Sequence, residues 1–163
     1  MSVTSPVFGK HFHVGYVVLD IEKVMANMRR DFGVTDWKIL PLPAGSPATA
    51  IAMAYVRGAM IELVAVDTGQ ELMSIHDGCL PASDEDARLN HVAYMLDSEE
   101  QWRAAQVHFG EVGIDLPVVM KFGEIFDYFY ADTVASLGHF SEFVCLGPEG
   151  KEFLASIPRN GHG

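Results

Sequence analysis

The chain has 163 residues, the length of one ordinary domain, and its 49% hydrophobic and 20% charged composition excludes a disordered chain. A net charge of −11 argues against nucleic acid and anionic membrane surfaces as partners, because both need a positive footprint. Apolar runs fall far short of the ~18 residues of a membrane span, no secretory leader is expected, and two cysteines, Cys79 and Cys145, suit neither a disulfide framework nor a zinc site, so a cytoplasmic protein with reduced thiols is expected.

The segment His13-Val14-Gly15-Tyr16-Val17-Val18-Leu19-Asp20 reads as a strand, with His13 at its start. Asp20 is a natural helix N-cap. Ile21, Val24, Met25 and Met28 then recur at helical spacing, Arg29 and Arg30 suit the last turn, and Gly33 ends the helix. Trp37 to Leu40 is a weak strand candidate, and Thr49 to Val56 and Ala59 to Val66 form a hairpin around Arg57-Gly58. A second strand opening, His91-Val92-Ala93-Tyr94-Met95-Leu96-Asp97, repeats the first 78 residues later, again with its His at the start. Asp97 or Ser98 caps the next helix, whose apolar stripe is Trp102, Ala105 and Phe109 and which Gly110 or Gly113 closes. Val118 to Phe122, Phe126 to Ala131 and Phe140 to Leu146 complete the second set of strands. Each half therefore reads β-α-β-β-β. Module one covers about 10–67, a linker about 68–89, module two about 90–147, and a C-terminal tail about 148–163. Within the linker, Gln70 to His76 suits a short helix; within the tail, Pro158 to Gly163 reads as disordered.

Metal-ligand residue types fall at matched positions on this repeat. Glu62 follows His13 by 49 residues and Glu142 follows His91 by 51. Both carboxylates stand inside apolar strands, Ile61-Glu62-Leu63 and Ser141-Glu142-Phe143, where a charge is expensive unless paired or metal-bound. Two imidazoles and two carboxylates suit one borderline divalent cation, Zn, Ni, Co, Mn or Fe. Such an ion is a Lewis acid for a carbonyl oxygen, and a carboxylate leaving it becomes a proton acceptor.

With its paired modules, its His-Val-Gly-Tyr-Val-Val-Leu-Asp opening and its two Glu-bearing strands, the chain resembles the vicinal oxygen chelate superfamily over roughly residues 10 to 147. That superfamily includes glyoxalase I, methylmalonyl-CoA epimerase, extradiol dioxygenases, fosfomycin-resistance transferases and bleomycin-binding proteins. The resemblance implies an α+β fold of two tandem βαβββ modules forming a cup-shaped mixed sheet around a metal site, and a homodimer. It implies His13, Glu62, His91 and Glu142 as ligands of one divalent metal, Glu62 and Glu142 as the proton-transfer groups, and a small-molecule substrate.

Among the family's chemistries, four protein ligands favour an isomerase, epimerase or glyoxalase-like lyase over an iron-dependent extradiol dioxygenase, whose triad would be His13, His91 and Glu142 with Glu62 left over. A complete ligand set also argues against a purely ligand-binding protein. The epimerases carry a catalytic Glu where this chain has Gly45-Ser46-Pro47-Ala48-Thr49, which lowers that reading. Tyr128 and Tyr130, on one strand face, together with Lys121 and His11, are candidate substrate contacts; His76 reads as loop or lid. Phe122, Phe126, Phe129 and Phe140 suit either the core or an aromatic pocket wall.

Overall fold

Residues 7–44 and 46–161, which the computed structural model describes, fall into two compact units, and the chain passes between them inside two of its strands and inside its last helix. The elements in order are β1 (Lys10–Val18), α1 (Ile21–Phe32), β2 (Lys38–Pro41), β3 (Ala50–Val56), β4 (Ala59–Ala65), α2 (Ser74–Asp77), β5 (Ala87–Leu96), α3 (Glu99–Glu111), β6 (Val118–Lys121), β7 (Phe126–Ala131), α4 (Val134–Leu137), β8 (Phe140–Leu146), α5 (Gly150–Ala155) and β9 (Arg159–Asn160). The expected β-α-β-β-β order occurs as β1-α1-β2-β3-β4 and again as β5-α3-β6-β7-β8, the second interrupted by the short α4 between β7 and β8, and no helix among the described residues is long and apolar enough to cross a membrane.

The first unit holds residues 13–91 together with 155 onward. Its strands run β2-β3-β4-β1, antiparallel except for the parallel β4–β1 pair. The β3–β4 turn needs only Arg57 and Gly58, with Arg57 in the left-handed region at φ 57°. Asp20 caps α1 by accepting from the Lys23 N–H, and Gly33 closes it at φ 70°. Alternation along β4 then splits its side chains. Leu63 and Ala65 pack under α1 with Val18, Val24 and Ala52. On the other face Val64 joins Val17, Val66 and Ala48, with Leu42, Leu72 and Leu80 packed over them.

Two boundaries differ from expectation. His13 and His91 sit inside their strands, not at the starts, because β1 begins at Lys10 and β5 at Ala87; near its start each strand has two consecutive exposed residues, Lys10–His11 and Arg88–Leu89, which give no apolar pattern to mark the start. The tail is ordered to residue 161: β9 pairs in parallel with β3 through Tyr55–Arg159 and Val56–Asn160, at the end of β3 that β2 leaves uncovered. The Asn160 Oδ1 accepts from the Thr35 and Asp36 N–H groups at 2.9 Å, and its Nδ2 donates to the Asp36 and Tyr55 carbonyls. One buried side chain thus satisfies four backbone groups. His162 and Gly163, part of the segment expected to be disordered, lie outside the described residues.

The second unit holds 7–12 and 92–154. Its strands β6-β7-β8 are antiparallel. Ser98 caps α3 through the Gln101 N–H, and the predicted stripe Trp102, Ala105 and Phe109 packs on Phe129, Phe143 and Leu96. The Trp102 Nε1–H donates to the Phe143 carbonyl at 3.3 Å, which lets a polar indole sit in this core. Phe129 is therefore core, stacked on Phe143 at 5.1 Å.

Candidate metal centre

Alternation puts Met60, Glu62 and Val64 on the face of β4 opposite α1. In the parallel β1–β4 pair Glu62 lies opposite Gly15, and His13 lies opposite Met60. Gly15 has no side chain, and the His91 ring occupies the space a Cβ there would need: that Cβ would lie 1.9 Å from His91 Cε1 and 2.1 Å from Nε2. His13, Glu62 and His91, all in the first unit and all buried, thereby converge.

The three donor atoms face one another. His13 Nε2 is 3.0 Å from His91 Nε2, Glu62 Oε2 is 3.1 Å from His91 Nε2, and Glu62 Oε2 is 3.5 Å from His13 Nε2. Burial by itself would raise the Glu62 pKa. The two imidazoles beside it, His13 foremost, outweigh it and hold the carboxyl well below the usual carboxylate range. The cluster is thus a buried anion against two imidazoles.

These residues fit a divalent metal on two grounds. A metal bound at about 2.0–2.1 Å separates two donors by roughly 3.0 Å at a right angle and roughly 3.4 Å at the tetrahedral angle, so the three observed distances match the edges of a coordination polyhedron. The second ground is the His91 tautomer. Buried Asn90 donates from Nδ2 to the Ile75 carbonyl at 2.6 Å, which turns Asn90 Oδ1 toward His91 Nδ1 at 2.8 Å. An amide oxygen only accepts, so His91 Nδ1 carries a proton, and in the ring's neutral form the Nε2 lone pair faces Glu62. A lone pair and a carboxylate oxygen 3.1 Å apart repel unless a cation or proton lies between them.

His76 is not a loop residue. It is buried on α2, 4% exposed, with its Nδ1 lacking a hydrogen-bond partner among the described residues. Burial first, then repulsion from His91, push its pKa down to about 4, against a smaller opposing pull from Glu62.

Glu142 belongs to the second unit, buried on β8 opposite Tyr130 of β7, so the two share one face. Tyr128 follows on that face, with its ring 5.8 Å from that of Tyr130 and stacked on Phe122 at 5.9 Å. Phe126 and Phe140 extend this aromatic row, Phe126 to Tyr128 and Phe140 to Tyr130. Lys121 lies elsewhere: its Nζ is 3.6 Å from Glu99 and over the Trp102 ring, on the α3 side. His11 is exposed and edge-on to Tyr94 in the same unit. Cys79 and Cys145 are free thiols. Sequence reasoning missed Asn90 and Gly15; a polar residue beside a candidate ligand was the one available signal for Asn90.

No protein-family model and no curated protein matches the sequence. Solved structures do match. Methylmalonyl-CoA epimerase from Mycobacterium tuberculosis superposes with a TM-score of 0.63 at 16% identity, over 96% of this chain and 97% of that one. The Streptomyces coelicolor methylmalonyl-CoA epimerase in complex with 2-nitronate-propionyl-CoA gives 0.59 at 11% identity, over 85% and 98%. A hypothetical protein from Bacillus halodurans C-125 gives 0.57 at 18%, over 83% and 93%. At these identities the likeness is one of fold, and the chain has the α+β fold of the vicinal oxygen chelate superfamily, to which the methylmalonyl-CoA epimerases belong.

Proposed function

We propose that the chain is a cytoplasmic, divalent-metal-dependent enzyme that transfers a proton at a carbon beside a carbonyl, in the isomerase or epimerase manner, on a small to medium oxygenated substrate. The observation that carries this reading is the His13–Glu62–His91 cluster, whose donor separations of 3.0, 3.1 and 3.5 Å suit a bound ion. A fold shared with epimerases, one of them holding an acyl-CoA analogue, supports an acyl thioester as the first substrate to try. The metal would supply Lewis acidity toward the substrate carbonyl. His13 and His91 would hold the ion through their Nε2 atoms, which are turned toward Glu62. Glu62 is held as an anion, so it is a ligand and a ready proton acceptor. The stretch from Gly45 to Thr49 holds no acid, so a second proton-transfer group must come from elsewhere, and Glu142 is the candidate.

Metal content by plasma mass spectrometry, on the wild type and on a His13→Ala, His91→Ala variant, is the first test. About one ion per chain, lost in the variant, is expected. Deuterium from D2O should then enter the α-carbon of a 2-methylacyl-CoA only with the metal-loaded wild type. No ion in the reconstituted wild type, or exchange equal in both proteins, refutes the reading. Two imidazoles and one carboxylate are also the facial triad of non-haem iron oxygenases, and oxygen uptake with a catechol and ferrous iron would favour that chemistry instead.

A further inference from the structure

We infer that Asn90 is a positioning residue, which holds His91 in the one neutral tautomer whose Nε2 lone pair faces Glu62 and His13 and fastens that ring to the backbone of α2; its bearing on function rests on the metal-centre reading above. Asn90 is 2% exposed and occupies the position next to His91 on β5, so its side chain leaves the opposite face of the strand. It nonetheless reaches the His91 Nδ1 at 2.8 Å. Its orientation is not free. The Ile75 carbonyl, 2.6 Å away, can only accept, so the amide nitrogen must point there and the amide oxygen at His91. The same oxygen then requires a proton on Nδ1, so that in the neutral ring the lone pair is on Nε2.

Two consequences separate this role from ordinary burial. The imidazole is set for a metal before any ion arrives, so no tautomer change accompanies binding. The α2 turn, which carries His76, is coupled to a metal ligand through one amide. A hydrogen-bonded partner behind a ligating imidazole typically accounts for about 10–100-fold in metal affinity.

Ring-nitrogen NMR of 15N-histidine protein without metal, at about pH 9, reads the tautomer directly, and zinc competition with a chelating dye reads affinity. Wild type should show the Nδ1–H form of His91. Asn90→Leu, which removes the acceptor, should show a mixture of tautomers and zinc affinity lower by about 10–100-fold. An Nε2–H form in the wild type overturns the inference even if the Leu variant fails to fold. So does a Leu variant with wild-type tautomer and affinity. A wild type that shows the Nδ1–H form but takes up no zinc leaves Asn90's role standing and removes the metal-centre reading instead.

Discussion

Replacing Gly15 with Ala adds one methyl group, and the structure states where it lands: 1.9 Å from His91 Cε1, 2.1 Å from Nε2 and 2.6 Å from Nδ1. Ordinary carbon contacts are about 3.5–4.0 Å, so the ring must retreat by roughly 1.5–2 Å or the backbone must part. Overpacking of this kind costs about 1–3 kcal/mol. A metal bond of about 2.0–2.1 Å does not survive such a retreat, so the larger effect is on binding. At an ion concentration of about 1,000 times Kd, binding stabilises the fold by about 4 kcal/mol. For a chain of this length that corresponds to a Tm increase of roughly 8–16 °C. Thermal unfolding of wild type and Gly15→Ala with and without zinc therefore reads both effects. The wild type should show the metal-dependent rise. The variant should melt about 2–12 °C lower without metal and show little or no rise with it. Gly58→Ala is the control, since no atom of the described residues lies within 4 Å of a Cβ there. A Gly15→Ala protein with wild-type Tm and a full zinc shift would refute the proposed packing of His91 over Gly15.

The sequence resemblance implies a ligand's role for Glu142; on that expectation Glu142→Gln should lower zinc affinity by roughly tenfold or more while thermal stability without metal changes little, and unchanged affinity removes it from the ligand set. His76 makes the protein acid-sensitive. An unfolded His takes a proton near pH 6.5 and the buried one only near 4, so the unfolded state binds more protons in that window. Stability then falls by up to about 3 kcal/mol as pH drops from 6.5 to 4. Urea unfolding of His76→Gln across that range should show a slope reduced by up to one proton, and an identical slope contradicts the burial assigned to it. Asn160→Ala leaves the Thr35 and Asp36 N–H groups and the Asp36 and Tyr55 carbonyls without that partner. A loss of about 2–4 kcal/mol is expected by denaturant unfolding, and a loss below about 0.5 kcal/mol means the β9 clasp adds little.

What could be read from the sequence was what local pattern and chemical cost determine. Glu62 was legible because a carboxylate flanked by Ile61 and Leu63 is costly without a partner. The helices were legible because Asp20, Ser98, Gly33 and the Trp102–Ala105–Phe109 stripe are local signals. Asn90 was not, since its role depends on where α2 brings the Ile75 carbonyl, 15 residues earlier in the chain. His76 looked like a loop residue because nothing in its neighbourhood of Ser, Asp and Gly indicates burial. Gly15 read as an unremarkable strand residue, although its value lies in a ring contributed from 76 positions away. The two-residue β9, between Pro158 and Gly161, carries no periodicity, and its partner strand is more than 100 residues distant.

That distance imposes a timetable on synthesis. The strand β3, Ala-Ile-Ala-Met-Ala-Tyr-Val, leaves the ribosome with Tyr55 and Val56 lacking the neighbour that residues 159 and 160 provide. At about 5–20 residues per second, the 105 residues separating Tyr55 from Asn160 take roughly 5–20 s to make. For that interval the chain carries an apolar, uncharged strand with an open end. This is the form of edge that recruits a second chain. Yield in the cell should therefore depend on translation speed and on chaperone capture of the nascent first half, more than on the equilibrium stability of the finished fold.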